Sequence, residues 1–515
     1  MTVNVRSACR HLGQLVFILV GVIVGVAVFS GVSLAAGAAD ERTAMDSLLL
    51  SAGIGLGIGF LLYLPGRREA GHFGQREALL LVAAAWLIGA GIAALPYWTW
   101  AAMRPESGTI AHDFDTYTNC YFEAMSGLTT TGATVVQSLA TLPRSLLLWR
   151  ALTQWMGGLG IVVLFVAVLP MLGVGGRRIY SIESPGPRPE GVTPRIQDAA
   201  RILWLIYLGL TVVEVLALRL FGMSWFDATC HTFATLATGG FSTQDSSLGG
   251  FASTAIHVVV IVFMVLAGVN FSVYYQLLRR QWRSVLRDAE LRAYLAIMLA
   301  GTVIVGVSLW NSTAAAAEAG ILHPSAGHVV RDAAFQVASI QTTTGFCTAD
   351  FDTWGFVAKA TLVVLMFIGG SAGSTGGGIK VVRVLVVVRV MLAEIEHVFR
   401  PHVVRTLKIG RRTIEPEMKI NTLVYILGIA ALFAAGTVGL MIIESGQGID
   451  ITTAATASAA TLNNIGPGLA RVGATQNYAW FSDMSKWLMS ALMVLGRLEV
   501  YTLIVLFQPK FWRGE

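Results

Sequence analysis

Four glycine-centred turns recur along this chain: SGLTTTGAT (126–134), TLATGGFST (235–243), SIQTTTGFCT (339–348) and ATLNNIGPG (460–468). Their aligned glycines, Gly132, Gly240, Gly345 and Gly466, stand 108, 105 and 121 residues apart. Each turn follows a half-apolar segment too short to cross a bilayer, at 115–128, 224–236, 330–341 and 450–462. A period that regular marks four copies of one structural unit. Brought around one axis, four Thr/Gly turns would make a ring of backbone carbonyls, and such rings select dehydrated cations.

The rest of the sequence sets the solvent for that unit. The chain is 55% hydrophobic and 13% charged, which reads as an all-α integral membrane protein. Ten apolar stretches are long enough to span a bilayer as helices: 13–37, 47–65, 79–101, 145–172, 200–221, 253–279, 290–311, 357–395, 419–443 and 480–509. No small-residue cleavage site clearly follows the first, so it reads as a retained helix rather than a signal peptide.

The formal net charge of +6 is not a nucleic-acid footprint, because the charges are sorted by side. One set of loops carries Arg67, Arg68 and Arg76; Arg177, Arg178, Arg188 and Arg195; Arg279, Arg280, Arg283 and Arg287; Arg400, Arg405, Lys408, Arg411 and Arg412; and Lys510 and Arg513. The other set holds Glu106, Asp113, Asp115, Asp245, Glu318, Asp350, Asp352, Glu444 and Asp450. The positive-inside rule puts the first set and both termini in the cytoplasm and the glycine turns toward the outside. Cys9, Cys120, Cys230 and Cys347 have no metal-ligand spacing; Cys347 lies two residues after its turn glycine, as Thr134 and Ser242 do after theirs, and is expected to face the external mouth.

Each repeat runs from a membrane helix through an external loop, a short re-entrant segment and the turn, into a second helix. Non-helical backbone at membrane depth survives only where protein or water satisfies it, so the turns imply a water-filled path. The expected units are 1–65 (two accessory helices), 66–199 (first repeat and cytoplasmic linker), 200–289 (second), 290–415 (third) and 416–515 (fourth). The linker 173–197 has Pro185, Pro187, Pro189 and Pro194 and cannot be one helix.

The expected ion-binding residues are Thr130, Thr131 and Gly132; Thr238, Gly239 and Gly240; Thr343, Thr344 and Gly345; and Asn464, Ile465 and Gly466. A short helix ending at the turn points its negative pole at the ion path, and glycine allows the positive φ that aims successive carbonyls inward. Thr131, Thr238 and Thr344 can add hydroxyl oxygens. The fourth turn lacks a threonine before its glycine, so the ring is pseudo-fourfold with unequal quarters. The plainer reading is four turns that need glycine for geometry alone; four copies after four half-length helices weigh against it.

Within the last helix of the third repeat, FIGGSAGSTGGGIKVVRV (367–384) carries Gly369, Gly370, Gly373, Gly376, Gly377 and Gly378, with Ser371 and Ser374 between them. Each interior glycine costs a helix about 1 kcal/mol relative to alanine, so this stretch is expected to break the helix beneath the turns. It reads as a mobile gate across the path, or as a passive kink. Lys380 closes it, a costly charge at membrane depth, but the phosphate-loop spacing is not met and no strand precedes it. Arg497 in the last span is a second intramembrane charge, which faces a cavity or a partner. Facing the path at about 5 Å, it would repel a cation by roughly 3 kcal/mol at an effective dielectric of 20; the alternative is a bond to a carbonyl or acid between helices. Asn270 is expected to bridge helices or face the path, and Glu123, Asp227 and His231 to act structurally behind the turns. No catalytic constellation is present, so an enzyme is not expected.

These motifs, with WRALTQWMGGLGIVVL (149–164), ESPGP, TPRIQDAARILWLIY (193–207), AGVNF and GRLEVYTLIVLFQPKFW (496–512), resemble the Trk/Ktr/HKT superfamily of potassium transporters, and within it the bacterial Trk-type potassium-uptake membrane subunit. The resemblance covers nearly the whole chain. It implies a pseudo-tetrameric pore in each subunit, a homodimer in the bacterial cytoplasmic (inner) membrane, and a cytosolic regulatory ring that binds nucleotides such as NAD or ATP. It implies K+ at Thr131, Gly132, Thr238, Gly240, Thr344, Gly345, Asn464 and Gly466, an intramembrane gating loop at 370–379, and Arg497 as the pore arginine. Some plant relatives carry serine at the first glycine and favour sodium; Gly132 speaks for potassium. The transported K+ is the only ion or cofactor implied for this chain. A proton- or sodium-coupled symporter is the alternative, although such transporters usually place substrate between inverted repeats, and these repeats share one orientation.

Overall fold

A computed structural model describes residues 3–67, 74–104, 113–163, 196–318, 325–402, 406–410 and 412–513. The described chain is helical apart from one two-residue hairpin, Lys408–Ile409 with Arg412–Thr413, paired antiparallel. That hairpin interrupts the basic segment 400–412. Most of the proline-rich linker, with Arg177, Arg178, Arg188 and Arg195, lies outside the described residues, as do Arg68, Glu106, Arg405 and Arg411.

Among the described residues six helices are long and apolar enough to cross a membrane: Val5–Ala35, Glu41–Gly66, Gln75–Met103, Arg201–Leu220, Ala289–Ser312 and Pro416–Ile443. Large apolar side chains such as Ile18, Leu61, Leu216 and Leu299 stand exposed along them, as lipid-facing surfaces do. Two expected spans are bent rather than continuous. The sixth breaks between Thr254–Ala267 and Phe271–Leu278 with a 94° bend, and the tenth between Asp483–Arg497 and Tyr501–Phe507 with a 111° bend. Counting each bent pair once gives eight of the ten expected spans among the described residues. The two left out are the helix Arg144–Val163, whose expected continuation to 172 lies outside the described residues, and the eighth span. The eighth is two helices, Phe356–Phe367 and Val381–Phe399, on either side of the glycine-rich segment.

Four short helices precede the four turns: Tyr117–Leu128, Trp225–Leu236, Ala326–Gln341 and Ile451–Leu462. Side chains of Thr116, Ser224 and Asp450 cap three of their N-termini. The two leading helices and elements of the first and fourth repeats share one apolar core, containing Val20, Leu48, Phe122, Trp149 and Met493. A second core joins the second and third repeats around Met264, Tyr294, Phe335 and Phe346. The fully buried Glu41 ties the leading helices to the first repeat by accepting from Ser30 Oγ at 2.7 Å and Ser145 N at 3.0 Å.

Candidate functional site

The four short helices end identically. The amides of Thr131, Gly239, Thr344 and Ile465 donate to the carbonyls of Ser126, Ala234, Ser339 and Ala460, five residues back, at 2.8, 2.8, 2.8 and 2.9 Å. One residue earlier, Thr130, Thr238, Thr343 and Asn464 donate to Gly127, Thr235, Ile340 and Thr461. This pair of bonds is the Schellman ending, which demands a left-handed residue after the cap. Those residues have φ of 54° (Thr130), 53° (Thr238), 59° (Thr343) and 56° (Asn464). Three are β-branched, for which positive φ is a true outlier. Two residues on, Gly132, Gly240, Gly345 and Gly466 are also left-handed, at 81°, 78°, 82° and 98°. Alternating the hand of φ turns successive peptide units to one side of the chain. The register corrects one expectation: Thr238 aligns with Thr130 and Thr343, whereas Gly239 takes the place of Thr131 and Thr344.

The turns abut in cyclic order. A Cβ on Gly132 would strike Gly239 O, one on Gly240 would strike Thr344 O, one on Gly345 would strike Ile465 O, and one on Gly466 would strike Thr131 O. All four approaches are closer than 3.0 Å, which real Cβ atoms essentially never show. The segments after the turns close the same circle. Arg150 Nη1 donates to Ser242 O at 3.2 Å, Gly249 N to Cys347 O at 3.1 Å, Ala470 N to Asp352 Oδ2 at 3.1 Å, and Tyr478 N to Thr134 O at 2.8 Å. Two hydroxyls expected to face an ion are engaged sideways: Thr131 Oγ1 pairs with Thr129 Oγ1 and Thr344 Oγ1 with Thr342 Oγ1, each at 2.8 Å.

Behind the turns the support differs from quarter to quarter. Glu123 and Arg150 form a fully buried ion pair at 2.8 Å, and Glu123 also accepts from Thr134 Oγ1 and Val135 N. His231 bonds Asp227 O and Ser242 Oγ, while Thr243 Oγ1 donates to Asp227 Oδ1, so all three residues act structurally, as expected. Ser339 Oγ donates to Phe346 O at 2.6 Å, and Tyr478 Oη to Gly466 O at 2.7 Å. Cys347 is 4% exposed, with Sγ 3.7 Å from Gly345 O; it packs into the second core, which corrects its expected exposure at the external mouth.

The glycine-rich segment lies directly against this ring. It is closed by a parallel bridge between Ile368 and Ile379. Gly377 N donates to Thr343 Oγ1 at 2.6 Å, and Thr375 Oγ1 donates to Leu236 O at 2.9 Å. A Cβ on Gly376 would meet Thr342 O, and one on Gly377 would meet Asn463 O. The segment therefore touches the ends of the second, third and fourth short helices. The broken sixth span abuts it too: Ser371 N donates to Gly268 O at 2.9 Å and Phe271 N to Gly373 O at 3.1 Å. Asn270 caps the helix after that break by accepting from Ser272 N, and its carboxamide faces Gly373. Ser374 Oγ donates to Ser371 O, and Lys380 Nζ donates to Gly376 O, which answers the cost of that charge.

Arg497 is the last residue of the helix Asp483–Arg497 rather than a mid-helix residue, because Glu499 and Val500 turn left-handed after it. Its guanidinium donates to Thr375 O at 2.9 Å and to Gly157 O at 3.3 Å. Both bonds are to backbone carbonyls, and one of those carbonyls belongs to the glycine-rich segment. Glu499 pairs with Arg383 at 2.7 Å. Sequence reasoning missed Gln154, Glu290 and Tyr478. Gln154 donates to Gly239 O, and Glu290 accepts from Ala372 N; neither sits in a turn or a glycine run that would have flagged it.

The family described as cation transport protein, TrkH, matches residues 64–513. The chain is 39% identical to the Trk system potassium uptake protein TrkH of Salmonella typhimurium, over 89% of this chain and 91% of that protein. It is 39% identical to the protein of the same name from Halomonas elongata, over 91% and 92%. The crystal structure of the potassium transporter TrkH from Vibrio parahaemolyticus superimposes with a TM-score of 0.85 at 33% identity, covering 99% of this chain and 100% of that one.

Proposed function

Because this chain belongs to the TrkH family of cation transport proteins, which are transporters and not enzymes, we propose that it is the potassium-translocating subunit of a potassium-uptake system in a bacterial inner membrane. The observation that carries this reading is the cyclic contact of four turns with one backbone geometry. Carbonyls from Thr131, Gly239, Thr344 and Ile465 and from the neighbouring turn residues replace the hydration shell of K+. Four short helices point their negative ends at the same place.

In the same reading, each repeat is one quarter of a pseudo-tetrameric pore with both termini cytoplasmic. The segment 370–378 is the gate: it is held under the ring by Arg497 and Glu290 and moved by a cytosolic nucleotide-binding partner acting on a homodimer. A partner needs only a few kcal/mol of differential binding to shift such an element.

Recording in a planar bilayer under opposed potassium and sodium gradients tests the function. Discrete openings that reverse near the potassium equilibrium potential are expected. Flux without discrimination between the ions, or flux that strictly follows an imposed proton or sodium gradient, would overturn it.

A further inference from the structure

The second turn differs from the others at the residue before its glycine. Thr131, Thr344 and Ile465 stand where this turn has Gly239. A Cβ on Gly239 would lie 2.5 to 2.8 Å from the carboxamide atoms of Gln154. Gln154 comes from the first repeat, on the helix Arg144–Val163, and its side chain is fully buried. Its Nε2 donates to Gly239 O at 2.6 Å, and its Oε1 accepts from Phe241 N at 3.1 Å. The two bonds bracket Gly240, the turn glycine. Arg150, one helical turn earlier, fixes the approach by donating to Ser242 O and pairing with Glu123.

We propose that Gln154 is a specificity-determining residue: its carboxamide stands in the place of the side chain that Gly239 lacks and splints the second turn so that its carbonyls keep their place in the ring. The inference rests on the potassium-filter reading above. Two consecutive glycines make this the most freely rotating of the four turns. Without the splint, Gly239 O and Phe241 N would be buried polar groups lacking a partner, and the peptide between the glycines would rotate to find one. Gly239 O is also the carbonyl that abuts Gly132, so its rotation would open the contact between the first and second turns. Among the described residues no hydrogen bond reaches the matching carbonyls of Thr131, Thr344 or Ile465, so at this position of the turn the second quarter alone carries a side-chain donor. Gln154 acts through Gly239 and is a positioning residue.

The test uses the full chain, reconstituted, with the potassium-to-sodium permeability ratio read from reversal potentials and folding read from thermal unfolding in detergent. Gln154→Met keeps length and removes both bonds; the ratio is expected to fall about tenfold, the effect of losing one ordinary hydrogen bond from the selecting geometry. Gly239→Ala alone should lower the ratio too, by displacing the carboxamide. Gln154→Ala with Gly239→Ala should recover part of the lost preference, because the new methyl enters the space the carboxamide leaves and restricts rotation at residue 239 without replacing the two bonds. That recovery carries the test where Gln154→Met does not fold. A folded Gln154→Met variant with an unchanged ratio overturns the inference, as does a double variant no better than either single change. A merely structural role would lower stability and total flux while leaving the ratio fixed, and this too refutes it. A wild-type chain that does not discriminate the two ions overturns the potassium reading itself, and is recognised before any variant is measured.

Discussion

Glu290 gives the most direct handle on the proposed gate. It is the second residue of the helix Ala289–Glu318 and is 3% exposed. Its Oε1 accepts from Ala372 N at 2.7 Å, inside the glycine-rich segment, and from Val382 N at 3.3 Å, at the start of the helix that leaves it. Glu290→Ala strands two buried amides, each costing about 1–3 kcal/mol; the longer bond counts at the low end, giving roughly 3 kcal/mol. If the open arrangement lacks both bonds, that cost falls on the closed state alone. At about 1.4 kcal/mol per factor of ten, the open-to-closed ratio should rise on the order of 100-fold. Glu290→Gln keeps an acceptor of equal reach and should lose under about 1 kcal/mol, a several-fold rise at most. The assay is rubidium or potassium flux into proteoliposomes without any cytosolic partner, with a thermal melt to confirm folding. Flux should increase from wild type through Glu290→Gln to Glu290→Ala. A folded Glu290→Ala protein with wild-type flux, or the reverse order, would refute the bracing role.

Arg497→Ala removes the bond to Thr375 O and should likewise raise partner-independent flux, while lowering the melting midpoint through loss of the Gly157 tie; a lower midpoint with no gain in flux would assign Arg497 to helix packing alone. Serine at Gly345 or Gly132 should relax potassium preference over sodium, because the new Cβ pushes on Ile465 O or Gly239 O of the adjoining turn. Serine at Gly466 should do less, since its nearest carbonyl, Thr131 O, stands 2.7 Å from a Cβ there; equal effects at all three would contradict the ring geometry. Cys347 should resist a membrane-impermeant thiol reagent added from either side, and rapid inhibition that Cys347→Ser abolishes would show its burial to be wrong.

Much of the ring was legible in the sequence because its requirement is a backbone one. Only glycine tolerates both positive φ and a neighbouring carbonyl where its side chain would be, so Gly132, Gly240, Gly345 and Gly466 announce themselves. The half-length helices were legible from apolar runs too short to span. The breaks at Gly268–Asn270 and Leu498–Val500 were not, because hydropathy is blind to a bend inside an apolar run. Nor was the register of TLATGGFST, where a threonine sits two residues before the glycine and matching by residue type misaligns it. The supporting side chains were the least visible. Gln154 and Glu290 reach targets far away in sequence, 85 residues for Gln154 to Gly239 and 82 for Glu290 to Ala372, while Tyr478 reaches 12 residues back to Gly466, and no local pattern encodes these bonds.

The proposed gate and the proposed filter are joined by hydrogen bonds, which bears on how one informs the other. The left-handed threonines carry about 1–2 kcal/mol of strain each, held by the bonds around them. In the first turn Thr130 Oγ1 has no hydrogen-bond partner among the described residues. In the third, Thr343 Oγ1 accepts from Gly377 N of the glycine-rich segment. In the fourth, Asn464, a residue that accepts positive φ readily, faces Gly377 and donates to Thr131 Oγ1 at 3.0 Å. Displacing the segment removes a restraint from Thr343, where strain is stored, and leaves the first turn's own bonds untouched. The cyclic contacts then pass any relaxation of Thr343–Gly345 to its two neighbours, Gly240 on one side and Ile465 on the other. In the proposed transporter, opening below and ion selection above are therefore linked through the third quarter, and a gate that moved without altering that turn would have to break the bond between Gly377 and Thr343 at no cost to its geometry.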